Sequence, residues 1–412
     1  MNETFYRIVT RMIDPIGPLL GRVWVRGDSL ERRERLGGQA WEGGGAAIWL
    51  HAASAGEVEA TEPLIREIAS RRPDNPVVLT VMTRAGRRRA GKIAHAASFF
   101  APVDLPTPVR RSVATFRPRL FLLVETELWP NLIDEVHRSG CPVVLANGRV
   151  SRRAEGRMRW ARPLYARTLR RFSLIGVQRE IDRQRFLRFG ASEEALFLHG
   201  NTKLDTQAPA PPALPLHRSG EERWVVFGSV RSGEEDAVRS AVRAVLDEDP
   251  RNRVAVAPRH PERAAAFLRE SSIPWSRWSE DRSPRSRAVL VDTVGDLLSF
   301  YALADVAFVG GSISRHGGHN PLEPARFAVP VLMGPHRENC QELADLLEEA
   351  GALEVVPAGE RLTGRILALL GDPDERKKRG EAGRQAIAAH RGAAKRFVDR
   401  LEKEGLLPGE GV

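Results

Sequence analysis

Cysteine is almost absent: Cys141 and Cys340 are the only two in 412 residues. Two thiols cannot build a disulfide framework or a Cys-rich zinc site, and nothing asks for an oxidising compartment. Long apolar runs are missing too. No stretch reaches the ~18 uninterrupted apolar residues of a spanning helix. No apolar segment ends in the small-residue cleavage site of a signal peptide. These absences point to a cytoplasmic protein. Lysine is scarce, six residues against 57 arginines. What remains is ordinary globular material, 42% hydrophobic and 28% charged, which excludes a disordered chain or a collagen. At ~150 residues per domain, the length allows two or three domains, each with a full core.

Charge is unevenly spread. The chain carries +10 overall and its pI is near 10.3. Residues 1–205 hold 34 basic against 22 acidic side chains, a net +12, and residues 206–412 hold 29 against 31, a net −2. A GC-rich genome that favours arginine accounts for the number of arginines, but not for their asymmetry. A one-sided positive field suits an anionic partner: nucleic acid, an acidic membrane surface or a phosphorylated substrate.

Two βα series follow one another. In the first half, apolar runs end in polar or Gly-rich punctuation at Ala47–Ala53, Val77–Met82, Phe99–Val103, Leu120–Val124, Pro142–Leu145, Phe172–Val177 and Ala195–Leu198. Segments of helical period, such as Glu59–Ser70 and Trp129–Ser139, lie between them. The second half repeats the theme at Arg223–Gly228, Val254–Ala257, Ala288–Val291, Val306–Val309 and Val329–Met333. Buried runs alternating with helices predict parallel sheets covered on both faces. The run QAPAPPALPL, residues 207–216, is a stiff linker. The expected fold is α/β with two doubly wound, Rossmann-like domains facing a cleft: 1–206, a Pro-rich linker at 207–222, and 223–412. Ligands in such sheets sit beyond the carboxyl ends of the strands.

The N-terminus has its own pattern. Phe5, Ile8, Val9, Met12, Ile13 and Ile16 recur at helical spacing with Arg7 and Arg11 between them. After Pro15, Gly17 and Pro18 come Leu19, Leu20, Val23, Trp24 and Val25 with Arg22 and Arg26. Residues 1–26 read as a segment lying on a membrane rather than crossing it. A helix packed on the protein itself fits the same spacing.

Strand ends carry the candidate chemistry. After the first run stands His51-Ala52-Ala53-Ser54-Ala55-Gly56-Glu57, a tight turn into a helix with Glu57 in its first turn. Such a carboxylate is a candidate general base; it is equally a Glu favoured by the helix dipole. After the fourth run come Glu125 and Glu127, two carboxylates hard to explain as packing. Gly200-Asn201-Thr202-Lys203-Leu204-Asp205 closes the last run of this half, and Lys203 is a point charge suited to a developing anion or a phosphate.

The second half reads as a nucleotide site. Gly228-Ser229 follows its first strand, and Pro258-Arg259-His260 follows another and offers an arginine to a phosphate. Val294-Gly295-Asp296 could present backbone groups to a base. In Gly310-Gly311-Ser312 through Gly317-Gly318-His319-Asn320-Pro321-Leu322-Glu323, the glycines let backbone approach a ligand, and Pro321 reads as the first residue of a helix. Free N–H groups there suit a phosphate, and Glu323 suits ribose hydroxyls. No G-x-x-x-x-G-K-[ST] loop, no H-E-x-x-H and no Cys/His ligand spacing is present, and no Asp-x-Asp directly follows any of the apolar runs named above.

The runs HAASAGEVEA, VETELWPNLI, GNTKLD, APRHPER and GGSISRHGGHNPLEPA, followed by MGPHRENCQELADLL, resemble the 3-deoxy-D-manno-octulosonic acid (Kdo) transferases. Those enzymes attach Kdo from CMP-Kdo to the lipid A precursor. The likeness spans nearly the whole chain in order. It implies a B-type glycosyltransferase with the acceptor site in the first domain and the nucleotide-sugar site in the second. The family's proton acceptor falls on Glu57 and its transition-state stabilisers on Glu125 and Lys203. Its CMP-binding segments fall on Pro258-Arg259, on Val294-Gly295-Asp296 and on Asn320, Pro321, Leu322 and Glu323, with Ser229 and His260 beside them. Ala55 stands where the family usually has a larger aliphatic residue. The N-terminal segment is more charged than the family's usual anchor, which favours peripheral attachment.

The expected reaction is inverting Kdo transfer with release of CMP and no metal or other cofactor. The expected partners are CMP-Kdo, the lipid A precursor and an anionic membrane surface at the cytoplasmic face of the inner membrane, with no nucleic acid. A B-type transferase or epimerase using another nucleotide sugar is the alternative. A nucleic-acid-binding protein would explain the basic half, but no helix-turn-helix, RNA-recognition or zinc-finger signature appears.

Overall fold

Each apolar run named above overlaps a strand. The structure, a computed structural model, describes residues 3–17, 28–43, 47–150, 152–206, 220–268 and 273–409. The chain divides into two compact units, one of Met1–Thr206 with His390–Val412 and the other of Gln207–Ala389.

The first unit is built on seven parallel strands: β1 (Ile48–His51), β2 (Val77–Val81), β3 (Ala96–Phe100), β4 (Leu120–Val124), β5 (Val143–Gly148), β6 (Phe172–Val177) and β7 (Leu196–Leu198). Their order is β3-β2-β1-β4-β5-β6-β7, with Leu50 opposite both Leu79 and Leu122. Alternate residues feed two cores. Trp49, Phe121, Leu123, Val143 and Leu145 point to one face. Ile48, Leu50, Leu79, Leu122 and Val144 point to the other. Apolar side chains on both faces explain why these strands read as continuous apolar runs.

The second face is covered partly from the far end of the chain. Helix Ala393–Lys403 contributes Ala394, Phe397, Val398 and Leu401 to that core. Arg71 pairs with Asp399 at 2.7 Å and Glu402 at 2.6 Å, and Arg72 donates to the Pro408 carbonyl at 2.9 Å. The sequence-based domain 223–412 is therefore corrected: residues 390–412 leave the second unit and complete the first. The linker assigned to 207–222 lies outside the described residues up to 219.

The second unit holds β8 (Arg223–Val230), β9 (Asn252–Pro258), β10 (Trp275–Arg277), β11 (Ala288–Leu290), β12 (Val306–Val309), β13 (Val331–Met333) and β14 (Leu353–Val355). The order is β10-β11-β9-β8-β12-β13-β14, again all parallel. Strands β10 and β14 were not among the expected runs. Each has three residues and sits at a sheet edge, where one-sided burial leaves little apolar signal.

The N-terminal helix Glu3–Ile13 is amphipathic, but its polar side faces the protein. Tyr6 donates to Asp104 at 2.6 Å, Arg7 pairs with Asp134, and Glu3 meets Arg167 at 2.6 Å and Arg171 at 2.9 Å. Phe5, Ile8, Met12 and the following Ile16 stand outward, 47–73% exposed. The packed-helix reading is met by the polar face of this helix, while its apolar side chains face outward. Leu19, Trp24 and the rest of 18–26 lie outside the described residues.

Candidate active site

In the first unit the sheet order reverses between β1 and β4, and beyond the carboxyl ends of such a pair is where doubly wound sheets bind ligands. Strand β1 runs through Ala52-Ala53-Ser54 into helix Ala55–Arg71. Ser54 caps that helix, its Oγ accepting from the Glu57 N–H at 3.3 Å. Glu57 answers by accepting from the Ala53 N–H at 2.9 Å and the Ser54 hydroxyl at 3.0 Å. This resembles a capping box, so the helix-start reading is satisfied. A carboxylate serving only as a cap would titrate low, yet burial draws the Glu57 pKa up to about 8, with the Glu125 and Glu127 charges adding to it. Two accepted hydrogen bonds leave lone pairs on both oxygens for a ligand hydroxyl.

Glu125 immediately follows β4 in a left-handed conformation, φ +61°, which costs a non-glycine residue of order 1 kcal/mol. Lys203 Nζ donates to its Oε1 at 2.7 Å, and Arg149 Nε lies 3.6 Å from Oε2. Burial would raise the Glu125 pKa, but Lys203 and Arg149 outweigh it and hold the carboxyl below its ordinary value. Lys203 responds in kind: desolvation pulls its pKa down, Glu125 lifts it further, and the ammonium stays charged. Three carboxylates in one neighbourhood are thereby split, two tied to partners and Glu57 drawn towards neutrality. Glu127 accepts from the Trp129 indole at 2.9 Å.

The turn bearing Lys203 is held by Asn147 and Gln178, which the motif reading passed over, and by Asn201 and Asp205 of the turn itself. Asn147, itself at φ +56°, accepts from the Thr202 N–H at 3.0 Å through Oδ1. Gln178 donates to the Asn147 carbonyl at 2.9 Å and accepts from Asn201 at 3.3 Å. Asp205 accepts from the N–H groups of Gly392 and Ala394, each at 2.6 Å, and so caps the C-terminal helix. Asn201 and Asp205 stand in the GNTKLD run and are a sequence signal, but their partners Gln178, Gly392 and Ala394 are distant in the chain. His51 and His199 are fully buried, and burial lowers both pKa values to about 4. They remain neutral, structural side chains at pH 7.

In the second unit the reversal lies between β8 and β12. Ser229 takes φ +55°, and a Cβ on Gly228 would stand 1.9 Å from the Tyr301 hydroxyl. The exposed Arg259 is placed by its own N–H, which donates to the Val230 carbonyl at 2.9 Å. Next to it, Arg231 donates to His260 Nε2 at 2.8 Å. Ser229, Pro258, Arg259 and His260 thus gather at the ends of β8 and β9. Val294, beyond β11, is 89% exposed. Asp296 accepts from Thr293 at 2.5 Å, Arg282 at 2.8 Å and Trp278 at 3.0 Å, so its carboxylate shapes the Val294-Gly295 turn. Glu323 lies close enough to Tyr301 to help burial raise the phenol's pKa.

Two expectations about the Gly-rich segment change. Pro321 is the residue before the helix, and that helix, Leu322–Ala325, is one turn long; Asn320 Oδ1 already accepts from the Leu322 N–H at 3.1 Å. One turn carries little dipole, so a phosphate there would depend on side chains. Glu234, fully buried, accepts from the N–H groups of Arg231 (2.8 Å), Gly311 (2.7 Å) and Ile313 (2.8 Å). It fills the nest that the glycines were expected to offer a ligand. Among the described residues no group of three or more His, Cys, Asp or Glu is arranged to hold a metal ion.

Residues 30–206 match the family model described as 3-deoxy-D-manno-octulosonic-acid transferase (kdotransferase). The chain is 33% identical over 372 residues to the 3-deoxy-D-manno-octulosonic acid transferase of Haemophilus influenzae, covering 86% of each. Among solved structures, a UDP-N-acetylglucosamine 2-epimerase superposes with a TM-score of 0.61 at 16% identity, covering 89% of this chain and 98% of that one. The spinosyn rhamnosyltransferase SpnG gives 0.53 at 17%, covering 87% and 100%. At these identities the structures establish the architecture, the two-unit fold of B-type glycosyltransferases and their epimerase relatives.

Proposed function

The chain belongs to the Kdo transferase family, and from that footing we propose that it moves Kdo from CMP-Kdo to a sugar hydroxyl of the lipid A precursor, with inversion, releasing CMP. The observation that carries this reading is Glu57: a buried carboxyl at the switch point of the first unit, its pKa drawn up to about 8. A general base works best with a pKa near the operating pH. Glu57 removes the proton of the acceptor hydroxyl, whose oxygen attacks the anomeric carbon of Kdo as the bond to the CMP phosphate breaks. Glu125 and Lys203, charged and paired, stabilise the charge that develops.

The second unit carries the donor. Arg259, exposed and placed by its backbone, takes the phosphate. Glu323 takes the ribose hydroxyls, and the Val294-Gly295 turn faces the cytosine. The leaving group is a phosphate monoester, which an arginine neutralises without a divalent ion. Mass analysis of products from purified enzyme, CMP-Kdo and a tetraacyl lipid A precursor tests the reaction. Competition by CMP against UDP separates it from a transferase or epimerase using another nucleotide sugar.

Attachment is proposed to be peripheral, at the anionic cytoplasmic face of the inner membrane, through the outward apolar face of helix Glu3–Ile13. Among the described residues no helix is long and apolar enough to cross a membrane. Exposed Arg11 and Arg110 supply cations on the same helix and on an element next to it in the first unit. Arg7, on the same helix, is engaged by Glu3 and Asp134.

A further inference from the structure

Beyond β8, β9 and β12 the second unit gathers more positive charge than a phosphate needs. Arg231 donates to His260 Nε2 at 2.8 Å, and Arg259 precedes His260 in the chain. His319 lies against Gly311, where a Cβ would stand 2.9 Å from His319 Cδ2 and 3.3 Å from Arg231 Cγ. His319 Nε2 is buried and has no hydrogen-bond partner. Burial and then the charges of Arg259, Arg231, His316 and His260 hold the His319 pKa down, at about 4. Arg231 thus lies between His260 and the Gly311–His319 contact, and Arg259 and His316 are near enough for their charges to act on His319. Among the described residues no acid pairs with the side chain of Arg231 or Arg259: the Glu234 oxygens accept from backbone N–H groups, and Glu262 sits 3.7 Å from His260 on the exposed side. An orphaned imidazole nitrogen beside two arginines is a site suited to something anionic.

We propose that Arg231 and His319 bind the carboxylate of the donor sugar, beside the phosphate held by Arg259, and so select a sugar acid over a neutral sugar. This rests on the reading of CMP-Kdo as donor. In such a donor the carboxylate and the phosphate ester oxygen are bonded to the same anomeric carbon, so two negative charges enter the site side by side. A site matched to the phosphate alone would leave the second one buried and repelled. An arginine with an adjacent imidazole answers it with charge-assisted hydrogen bonds.

The test compares whole donor with CMP on the full-length enzyme, using CMP-Kdo regenerated in situ and CMP as product inhibitor. Arg231→Gln and His319→Gln should each raise KM for CMP-Kdo ~10-fold or more, as expected for losing a hydrogen bond to a charged group. The Ki for CMP should stay within about twofold, and Arg231→Lys should recover part of the KM. Parallel rises in KM and CMP Ki would make these groups phosphate ligands and overturn the proposal, as would an unchanged KM. A wild-type enzyme that forms no product from CMP-Kdo would overturn the donor assignment itself.

Discussion

Lys203 Nζ and Glu125 Oε1 lie 2.7 Å apart, a contact between residues 78 positions distant in the chain, with both side chains less than a fifth exposed. Each ion stays charged because of the other. Removing one partner of a buried pair costs ~3–5 kcal/mol because the survivor is left uncompensated, and the residual exposure here places Lys203→Met at the lower end. Denaturant unfolding should show that loss, and adding Glu125→Gln should restore most of the stability. Activity should stay low in the double variant. A double variant as unstable as the single one would mean the two residues act separately.

The return of the C-terminal helix makes a separate prediction. Phe397 is fully buried in a core formed with β1, β2 and β4. Truncating it to Ala should cost ~3–5 kcal/mol. The cost should fall on the first unit, so hydrogen exchange should accelerate in β1 and β4 and leave β8 and β12 unchanged. Acceleration in β8 would return residues 390–412 to the second unit.

Much of this was legible in the sequence, and what was missed has a common cause. Runs such as Leu120–Val124 read as strands because both faces are buried, and Glu57, Glu125 and Lys203 stood out because each follows such a run. The helical period of Phe5, Ile8 and Met12 was equally plain. Which face of that helix turns inward was not, because it is decided by Asp104, Asp134 and Arg171, more than ninety positions away. Likewise the apolar spacing of Ala394, Phe397, Val398 and Leu401 marks a helix without saying which sheet it covers. Glu234 reads as a routine acid before a helix; only the fold brings the Gly311 and Ile313 N–H groups to it.

Donor residues should separate from the others by CMP affinity. Arg259→Ala and Glu323→Ala should each weaken CMP binding ~10-fold or more, the loss expected for a hydrogen bond to a charged group. Glu125→Ala, in the other unit, should leave it unchanged. Calorimetric titration of CMP reads all three. Turnover should survive EDTA, and a strict divalent requirement would contradict the leaving-group assignment.

Membrane docking should depend on the outward face of the first helix. Phe5→Asp with Met12→Asp should reduce flotation with vesicles containing anionic lipid. Wild-type binding should weaken as salt rises, because the flanking arginines contribute through screened charges. Release by detergent alone, with no effect of salt or carbonate, would make the segment an integral anchor.

The central claim is that Glu57 takes the proton, and turnover by Glu57→Gln measured beside CMP binding tests it most directly. Loss of a general base typically costs ~10²–10⁴-fold in rate, and CMP affinity should be untouched. With a pKa about 8, the wild-type rate should climb as pH rises towards 8 and level off above it, since only the ionised carboxylate accepts a proton. The residual rate of the variant should lack that climb. A Glu57→Gln enzyme that keeps more than about a tenth of the wild-type rate, against that expected range, or that retains the same pH profile, would contradict the account.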